Sequence, residues 1–554
     1  MKLNKICFIL ASAGMLAVAP GCKDFFDVNV NPLSPTTVNL YSLLPVTQVS
    51  IAENLGDNVG GLSQYTMALM QQLYNTRSIG NFQQTGDSFS GEWAGLYRGV
   101  LVNNELIITQ GTKELRWDYV GIAQLQKAYV YSQMVDLWGD IPYTEALQGT
   151  ANLTPRFDKD EEIYNGTADG SIQGLFSLID EGLANLKKGT VPTKPTINTV
   201  DLIYGGSLDK WARFGRTLKL KLYNQIRKTQ SNAFIQSKVA PLLADSLMKE
   251  VGDFQLAYRN TVNPDNRHPG YAADYSANPE NKIGRFFYED MYIRNDPRVP
   301  YYFFNQIPRG STTTNQDYIG MLPLYDPRFV TVRPGSSGPY VNSASTADVQ
   351  TVQGLYPIGG RYDDGRGGKT TARPGKAEAP QRLLTYYSRK FTEAELQLMV
   401  YGDVVAARNA FEEGVRSAMR KVNEVAFADG SPLIPQTAGS TVPNINGYTT
   451  AALVRYNNAA NTEEKLEVIM YEKYVASYGY GVDVYTDFRR TRHPRIRVSQ
   501  EAVSPALGLI VDDGQTTANG SFPRRLYYPL NDLILNPKSP KTQRDPSSPI
   551  FWDK

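Results

Sequence analysis

Both cysteines of this 554-residue chain, Cys7 and Cys22, lie within its first 22 positions. Everything that follows must hold its shape without a disulfide or a zinc–thiolate site. The length suits two to four domains, or one large domain with insertions. Packing of apolar faces and pairing of buried polar groups therefore have to carry the fold. Lys+Arg (57) nearly balances Asp+Glu (55), so no general attraction to nucleic acid is expected.

Hydrophobic spacing predicts helices through the first part of the chain, from about Leu43 to Leu147. The clearest runs over Asp118–Gly139, where Leu125, Ala128, Tyr131, Val135 and Trp138 fall on one face. Gly139 and Pro142 stop it. A second helix is expected over Ile172–Lys188, with Leu175, Leu178, Ile179, Leu183 and Leu186 in its stripe. A third spans Lys210–Lys228, capped by Asp209, with Trp211, Phe214, Leu218, Leu222 and Ile226 facing one way. Helix returns over Phe391–Ala426, where Ala407, Phe411 and Gly414 match the second half of a tetratricopeptide repeat. A last helix starts after Asn461, with Glu464 completing a capping box, and Gly479 and Gly481 end it. The expected class is mainly α, a helical body of tetratricopeptide-like helix pairs. Between about 251 and 384, Gly, Pro, Asn, Asp and Tyr crowd the chain, as in RNDPRVPYYFF and LPLYDPRF. This stretch reads as a loop-rich insertion with short strands, and its aromatics argue for function rather than disorder.

The N-terminus reads as an export signal. Lys2 and Lys5 precede the apolar run Ile6–Ala19, and Ala19-Pro20-Gly21-Cys22 closes it. The run falls short of the roughly 17–25 residues a membrane span needs. A cysteine at that point is the expected thiol of a bacterial lipoprotein. Residues 1–21 are then a removed signal peptide, Cys22 carries the lipid, and residues 22–40 form a tether kept from helix by Asn31-Pro32 and Ser34-Pro35. Residues 41–554 follow as one domain.

Enzyme motifs are sparse. The two histidines, His268 and His493, are too few for a histidine metal cluster and are expected in loops. Asp158-Lys159-Asp160-Glu161-Glu162 has Ile163 where a calcium loop needs glycine, and reads as a helix start. No metal or cofactor is indicated. Arg489, Arg490, Arg492, Arg495 and Arg497 are expected to pair with Asp483, Asp487 or main-chain carbonyls rather than to bind anions. A pair of distant carboxylates, as in glycoside hydrolysis, leaves no local motif, so a surface glycoside hydrolase stays open at this point, as does a structural adaptor.

Six blocks in order resemble the SusD/RagB family of outer-membrane lipoproteins of Bacteroidetes-type bacteria. They are Cys22-Lys23-Asp24-Phe25-Phe26-Asp27-Val28-Asn29, Asp136-Leu137-Trp138-Gly139-Asp140-Ile141-Pro142-Tyr143, and Pro155-Arg156-Phe157-Asp158 through Tyr164. Lys210-Trp211-Ala212-Arg213-Phe214 with Thr217–Leu222, Asp487-Phe488-Arg489-Arg490-Thr491, and Phe522-Pro523-Arg524-Arg525-Leu526-Tyr527-Tyr528-Pro529 follow. The resemblance implies a non-catalytic cell-surface protein lidding a SusC-like TonB-dependent barrel transporter. It would capture oligosaccharides, or in some branches peptides, for import. The matching blocks look like scaffold, so Trp138, Trp211 and Arg490 are expected to pack rather than touch ligand. Ligand contacts are expected instead from aromatics in loops: Tyr74, Phe82, Phe89 and Trp93 in the first half, and Tyr288, Tyr292, Tyr301, Tyr302, Tyr340 and Tyr362 in the insertion.

Overall fold

Helix Trp117–Trp138 is the axis of the body, and only Trp117 and Lys127 along it reach even partial exposure. The apolar face legible in the sequence is one side of a helix buried on all sides. Its polar residues, among them Gln124 and Asp136, are buried too. The computed structural model describes residues 39–75, 84–189, 196–311, 326, 328–331, 347–437, 439, 442–498, 509–511 and 522–554. Cys22, Phe82 and Tyr340 lie outside the described residues. Leu40–Lys554 form one compact unit. Among the described residues, no helix is long and apolar enough to cross a membrane.

Successive helices pack on their neighbours. Val102–Lys113 lies on Trp117–Trp138, which packs on Leu175–Leu186, and that on Leu208–Gln225. In the second half, Tyr386–Leu396 packs on Val404–Asp429, then come Ile445–Asn458, Thr462–Ala476 and Gly481–Thr491 in the same manner. The tetratricopeptide-like spacing works as a close contact: a Cβ on Gly414 would sit 2.9 Å from the Phe391 ring. Phe411 stacks on Tyr456 with ring centroids 5.5 Å apart.

Several local expectations need correction. The stretch read as one helix over Phe391–Ala426 breaks at Gly402, which takes φ +69°, and Asp403 caps the second part by accepting from the amides of Val405 and Ala406. Ser207, not Asp209, caps the Leu208–Gln225 helix, because Asp209 is turned onto Arg213 at 2.7 Å. Gly481 does not end structure but opens the helix Gly481–Thr491, whose first turn packs on helix Leu62–Leu69. Asn461 caps its helix through the Glu464 amide, while the Glu464 carboxylate reaches the amide of Ala460.

The insertion is stitched into the body by short antiparallel pairs. Phe254–Leu256 pairs with Gln381–Leu384 at its base, and Phe303–Phe304 with Val352–Gln353 inside it. Asn281–Ile283 pairs with Leu73–Asn75 of the first half. The irregular appearance also hides helices, the longest among the described residues being Arg285–Ile293.

One carboxylate ties the halves together. Glu395, fully buried, accepts from Arg490 Nε (2.9 Å) and Nη2 (2.7 Å), Arg227 Nε (2.9 Å) and Asn224 Nδ2 (2.9 Å). Burial by itself raises a carboxyl pKa, but Arg490 and Arg227 outweigh it and hold Glu395 well below the usual range. Glu395→Gln leaves two buried guanidiniums short of countercharge and should cost about 3 kcal/mol at neutral pH. A depressed folded-state pKa contributes stability above the ordinary Glu value, 4.5, and loses it as pH falls towards the folded value. Urea unfolding of wild type and variant should therefore show a gap that narrows below that value. An unchanged midpoint at pH 7 would contradict this role.

Candidate functional site

Two copies of Asp-Pro-Arg build one wall of a cavity of about 500 Å³. In the first, Asp296 accepts from the Arg298 amide (2.9 Å) and grips its guanidinium at 2.8 and 2.6 Å. Proline between them holds the chain in the tight turn that brings acid and base of the same segment together. Arg298, wholly buried, also donates to Glu472 (3.0 Å), anchoring this turn to helix Thr462–Ala476. In the second copy, Asp326 accepts from the Arg328 amide (3.1 Å), and its Oδ2 takes Arg328 Nη2 at 2.6 Å. Arg328 Nη1 reaches Asp363 at 3.1 Å.

Three tyrosines converge on the same cavity. Tyr292 ends helix Arg285–Ile293, Tyr301 sits in the turn Val299–Tyr302, and Tyr362 follows Arg361 in the later part of the insertion. The rings of Tyr301 and Tyr362 lie 4.9 Å apart at 54°, and the Tyr301 hydroxyl donates to the Pro432 carbonyl at 2.7 Å. Tyr292 and Tyr362 are half-buried, whereas Tyr301 is 3% exposed. Burial raises the Tyr301 and Tyr362 phenols above their ordinary value, so both keep their protons at neutral pH. Further lining comes from the body: Leu433, Ile434, Pro435, Val442 and Pro443, in the loop after helix Val404–Asp429. Arg309 is exposed at the cavity and makes no ion pair with a described residue.

This arrangement suits binding. Flat phenol faces and an apolar wall meet ring carbons, while tyrosine hydroxyls and Arg309 offer polar contacts. The carboxylates of Asp326 and Asp363 are already engaged by Arg328, and Asp363 also accepts from Asn305 and the Gly365 amide. Among the described residues, no group of three His, Cys, Asp or Glu side chains is arranged to hold a metal ion.

The remaining predicted contacts lie elsewhere. Tyr74 is buried in its strand beside Asn281–Ile283. Phe89 and Trp93 are core residues: Phe89 packs on Tyr65, and Trp93 on Trp138, Tyr97, Phe157 and Tyr528. The polar stretch before them looked like a loop, but Trp93 belongs to helix Ser90–Gly95 and has its large ring inside. Tyr288 is wholly buried, stacked on the cavity residue Phe329 with centroids 3.6 Å apart, and Tyr302 is wedged between Tyr356 and Tyr478. Sequence reasoning missed Arg309, the body's Leu433–Pro435 wall and the Asp-Pro-Arg forks. Only the last had a signal, the repeated tripeptide.

Four arginines of the basic cluster, Arg489, Arg490, Arg492 and Arg495, are structural, while the Arg497 side chain lies outside the described residues. Arg489 donates to the carbonyls of Asp136 (2.6 Å) and Arg524 (2.8 Å), Arg492 pairs with Asp553, and Arg495 with Glu467. Asp487 does pair with Arg490, but Asp483 is taken by Lys221. His268 is not a plain loop residue; it is buried, and its Nδ1 accepts from the Gly270 amide at the start of helix Pro269–Asp274. That burial lowers its pKa to about 3.

A family model described as starch-binding and associating with the outer membrane, SusD-like, matches residues 32–529. The chain belongs to the SusD-like family. Solved structures agree in fold. A chitin-binding protein shares 19% identity with a TM-score of 0.67, over 93% of this chain and 100% of that one. A SusD/RagB family protein from Bacteroides thetaiotaomicron shares 20% identity with a TM-score of 0.66, over 93% and 99%. A SusD homologue from Bacteroides uniformis shares 18% with a TM-score of 0.64, over 93% and 99%. No protein of curated function matches. Trp138, Trp211 and Arg490, expected to pack rather than touch ligand, are all buried.

Because Arg328 bridges two carboxylates of the cavity wall, Asp326 and Asp363, Arg328→Met should loosen that wall and cost about 3 kcal/mol by leaving both without countercharge. Thermal unfolding measures it; an unchanged midpoint would show that the fork is not structural.

Proposed function

We propose that this SusD-like protein is a surface lipoprotein, moored through Cys22, that captures an extracellular oligosaccharide and passes it to a SusC-like TonB-dependent barrel in the outer membrane. The reading rests above all on the cavity where Tyr292, Tyr301 and Tyr362 meet beside Arg309, which makes no ion pair with a described residue. Its volume, about 500 Å³, lies in the range of small-ligand pockets. Family membership supports the glycan class and the outer-membrane address. The chitin-binding neighbour is a glycan binder by name, which adds to the same class. Binding involves no chemical step: of the carboxylates at the cavity, Asp326 and Asp363 serve as fixed acceptors for Arg328 and Asp296 for Arg298.

Sugar stacked on an exposed phenol gains about 1–3 kcal/mol, by analogy with bases on aromatics. Tyr362→Ala and Tyr292→Ala should each weaken glycan binding about tenfold or more, read by calorimetry against starch and chitin oligosaccharides. Tyr74→Phe, outside the cavity, should leave affinity unchanged. Equal affinities for all three variants would remove the cavity from the ligand path.

The mooring has its own test. Cys22→Ala should shift the protein from the membrane fraction to the soluble fraction and abolish its co-purification with a large barrel protein from intact outer membranes. Retention of the variant in washed membranes would refute lipid anchoring at Cys22.

A further inference from the structure

A second cavity, of about 520 Å³, opens between helices Ile445–Asn458 and Thr462–Ala476 and the segment Pro494–Arg495. Two buried donor atoms there have no partner among the described residues, and a half-buried guanidinium lies beside them. The Arg294 guanidinium lies 3.8 Å over the Tyr471 ring and forms no ion pair with a described residue. Tyr471 is 4% exposed, and its hydroxyl is buried with no hydrogen-bond partner among the described residues. Arg455 Nε is likewise buried and unpartnered, because Glu472 engages only its Nη2, at 3.1 Å. A buried donor left unpaired costs free energy, so the two orphans on lining residues of this cavity fit a site that lacks its acceptor.

The acids nearby do not supply it. Glu464 is spent on the Ala460 amide and Asn461 side chain of its own helix start. Glu467 pairs with Arg495 at 2.9 Å. Glu472 is shared among Arg298, Tyr448 and Arg455. Asp290 contributes a field at Arg294 but does not line the cavity. Of the lining side chains, Arg294, Arg455 and Arg495 oppose Glu464 and Glu467, an excess of one positive charge. That excess matches a monoanion better than a phosphate dianion, and arginine's planar fork matches a carboxylate. Val454, Val468, Ala459 and Pro494 add apolar walls, which a bare small anion does not need and a sugar ring does.

We propose that this cavity is a second ligand site, taking the carboxylate of an acidic sugar, with Arg294, Arg455 and Tyr471 as its donors. It is separate from the tyrosine cavity and shares no lining residue with it.

The test uses the mature lipoprotein in detergent and four probes by calorimetry: D-glucuronate, D-glucose, acetate and triglycine. Glucuronate should bind at least tenfold more tightly than the other three. Arg294→Gln should weaken it tenfold or more. Tyr471→Phe should leave the thermal midpoint unchanged or raised, since it removes an orphan hydroxyl, yet weaken glucuronate severalfold. Tyr362→Ala should leave glucuronate binding intact, which separates this site from the tyrosine cavity. Glucose binding as tightly as glucuronate would overturn the carboxylate assignment, and acetate or triglycine doing so would overturn the sugar-acid one. Loss of glucuronate binding in Tyr362→Ala, or full binding in both Arg294→Gln and Tyr471→Phe, would overturn the site.

Discussion

The buried cluster centred on Glu395 is the interaction on which the arrangement of the two halves depends. Its partners come from far apart in the chain: Asn224 and Arg227 from the end of the Leu208–Gln225 segment, and Arg490 from helix Gly481–Thr491. Asp487 extends the cluster to Lys473 at 2.8 Å and so to helix Thr462–Ala476. Apolar packing sets helices side by side but leaves them free to slide, because it is not directional. Fixed forks between charges in a low dielectric have one satisfactory register. With no cysteine after Cys22, such forks are the staples available to this fold. The same logic recurs at Asp136, which accepts from Tyr164 (2.6 Å) and from Trp552 Nε1 (2.9 Å), drawing the C-terminus onto the central helix.

These anchors also explain how an irregular insertion can carry a site. A long loop bears many backbone groups needing partners and loses much entropy when ordered. Here the cost is spread over short strand pairs and over side-chain forks. Arg298 joins the insertion to Glu472 of the body, and the Tyr301 hydroxyl joins it to the Pro432 carbonyl. The tyrosine cavity therefore lies at a seam, one wall from the insertion and one from the loop after helix Val404–Asp429. Seams of this kind supply concavity that a single helical layer does not.

Much of the body was legible because helix faces repeat. Trp211, Phe214, Leu218 and Leu222 declared their helix by spacing, and all are buried. Capping was less legible: Ser207 and Asp209 are both good caps, and only the position of Arg213 decides between them. The site was partly legible. Tyrosines in the insertion stood out, but composition does not separate the half-buried Tyr292 and Tyr362 from the wholly buried Tyr288 and Tyr302. Trp93 shows the limit from the other side. Glycine, serine and asparagine around it imitate a loop, while its ring packs on Trp138 at 5.1 Å. Contacts supplied by distant segments, such as Leu433 facing Tyr301, leave no local trace at all.

The turn after helix Arg285–Ile293 holds the two cavities back to back. Arg294 lines one, and Asn295 and Asp296 line the other. Asn295 takes φ +51°, a left-handed conformation that asparagine accepts more readily than most residues and that reverses the chain within one position. Beneath the turn, Glu472 binds Arg298, which is locked to Asp296, through Oε2, and binds Arg455 through Oε1. Each carboxylate oxygen thus serves one cavity. Any ligand that drew Arg455 outward would strip a donor from Glu472 and leave it Arg298 and the Tyr448 hydroxyl. The floor of the tyrosine cavity and the wall of the second one are consequently set by the same buried charge.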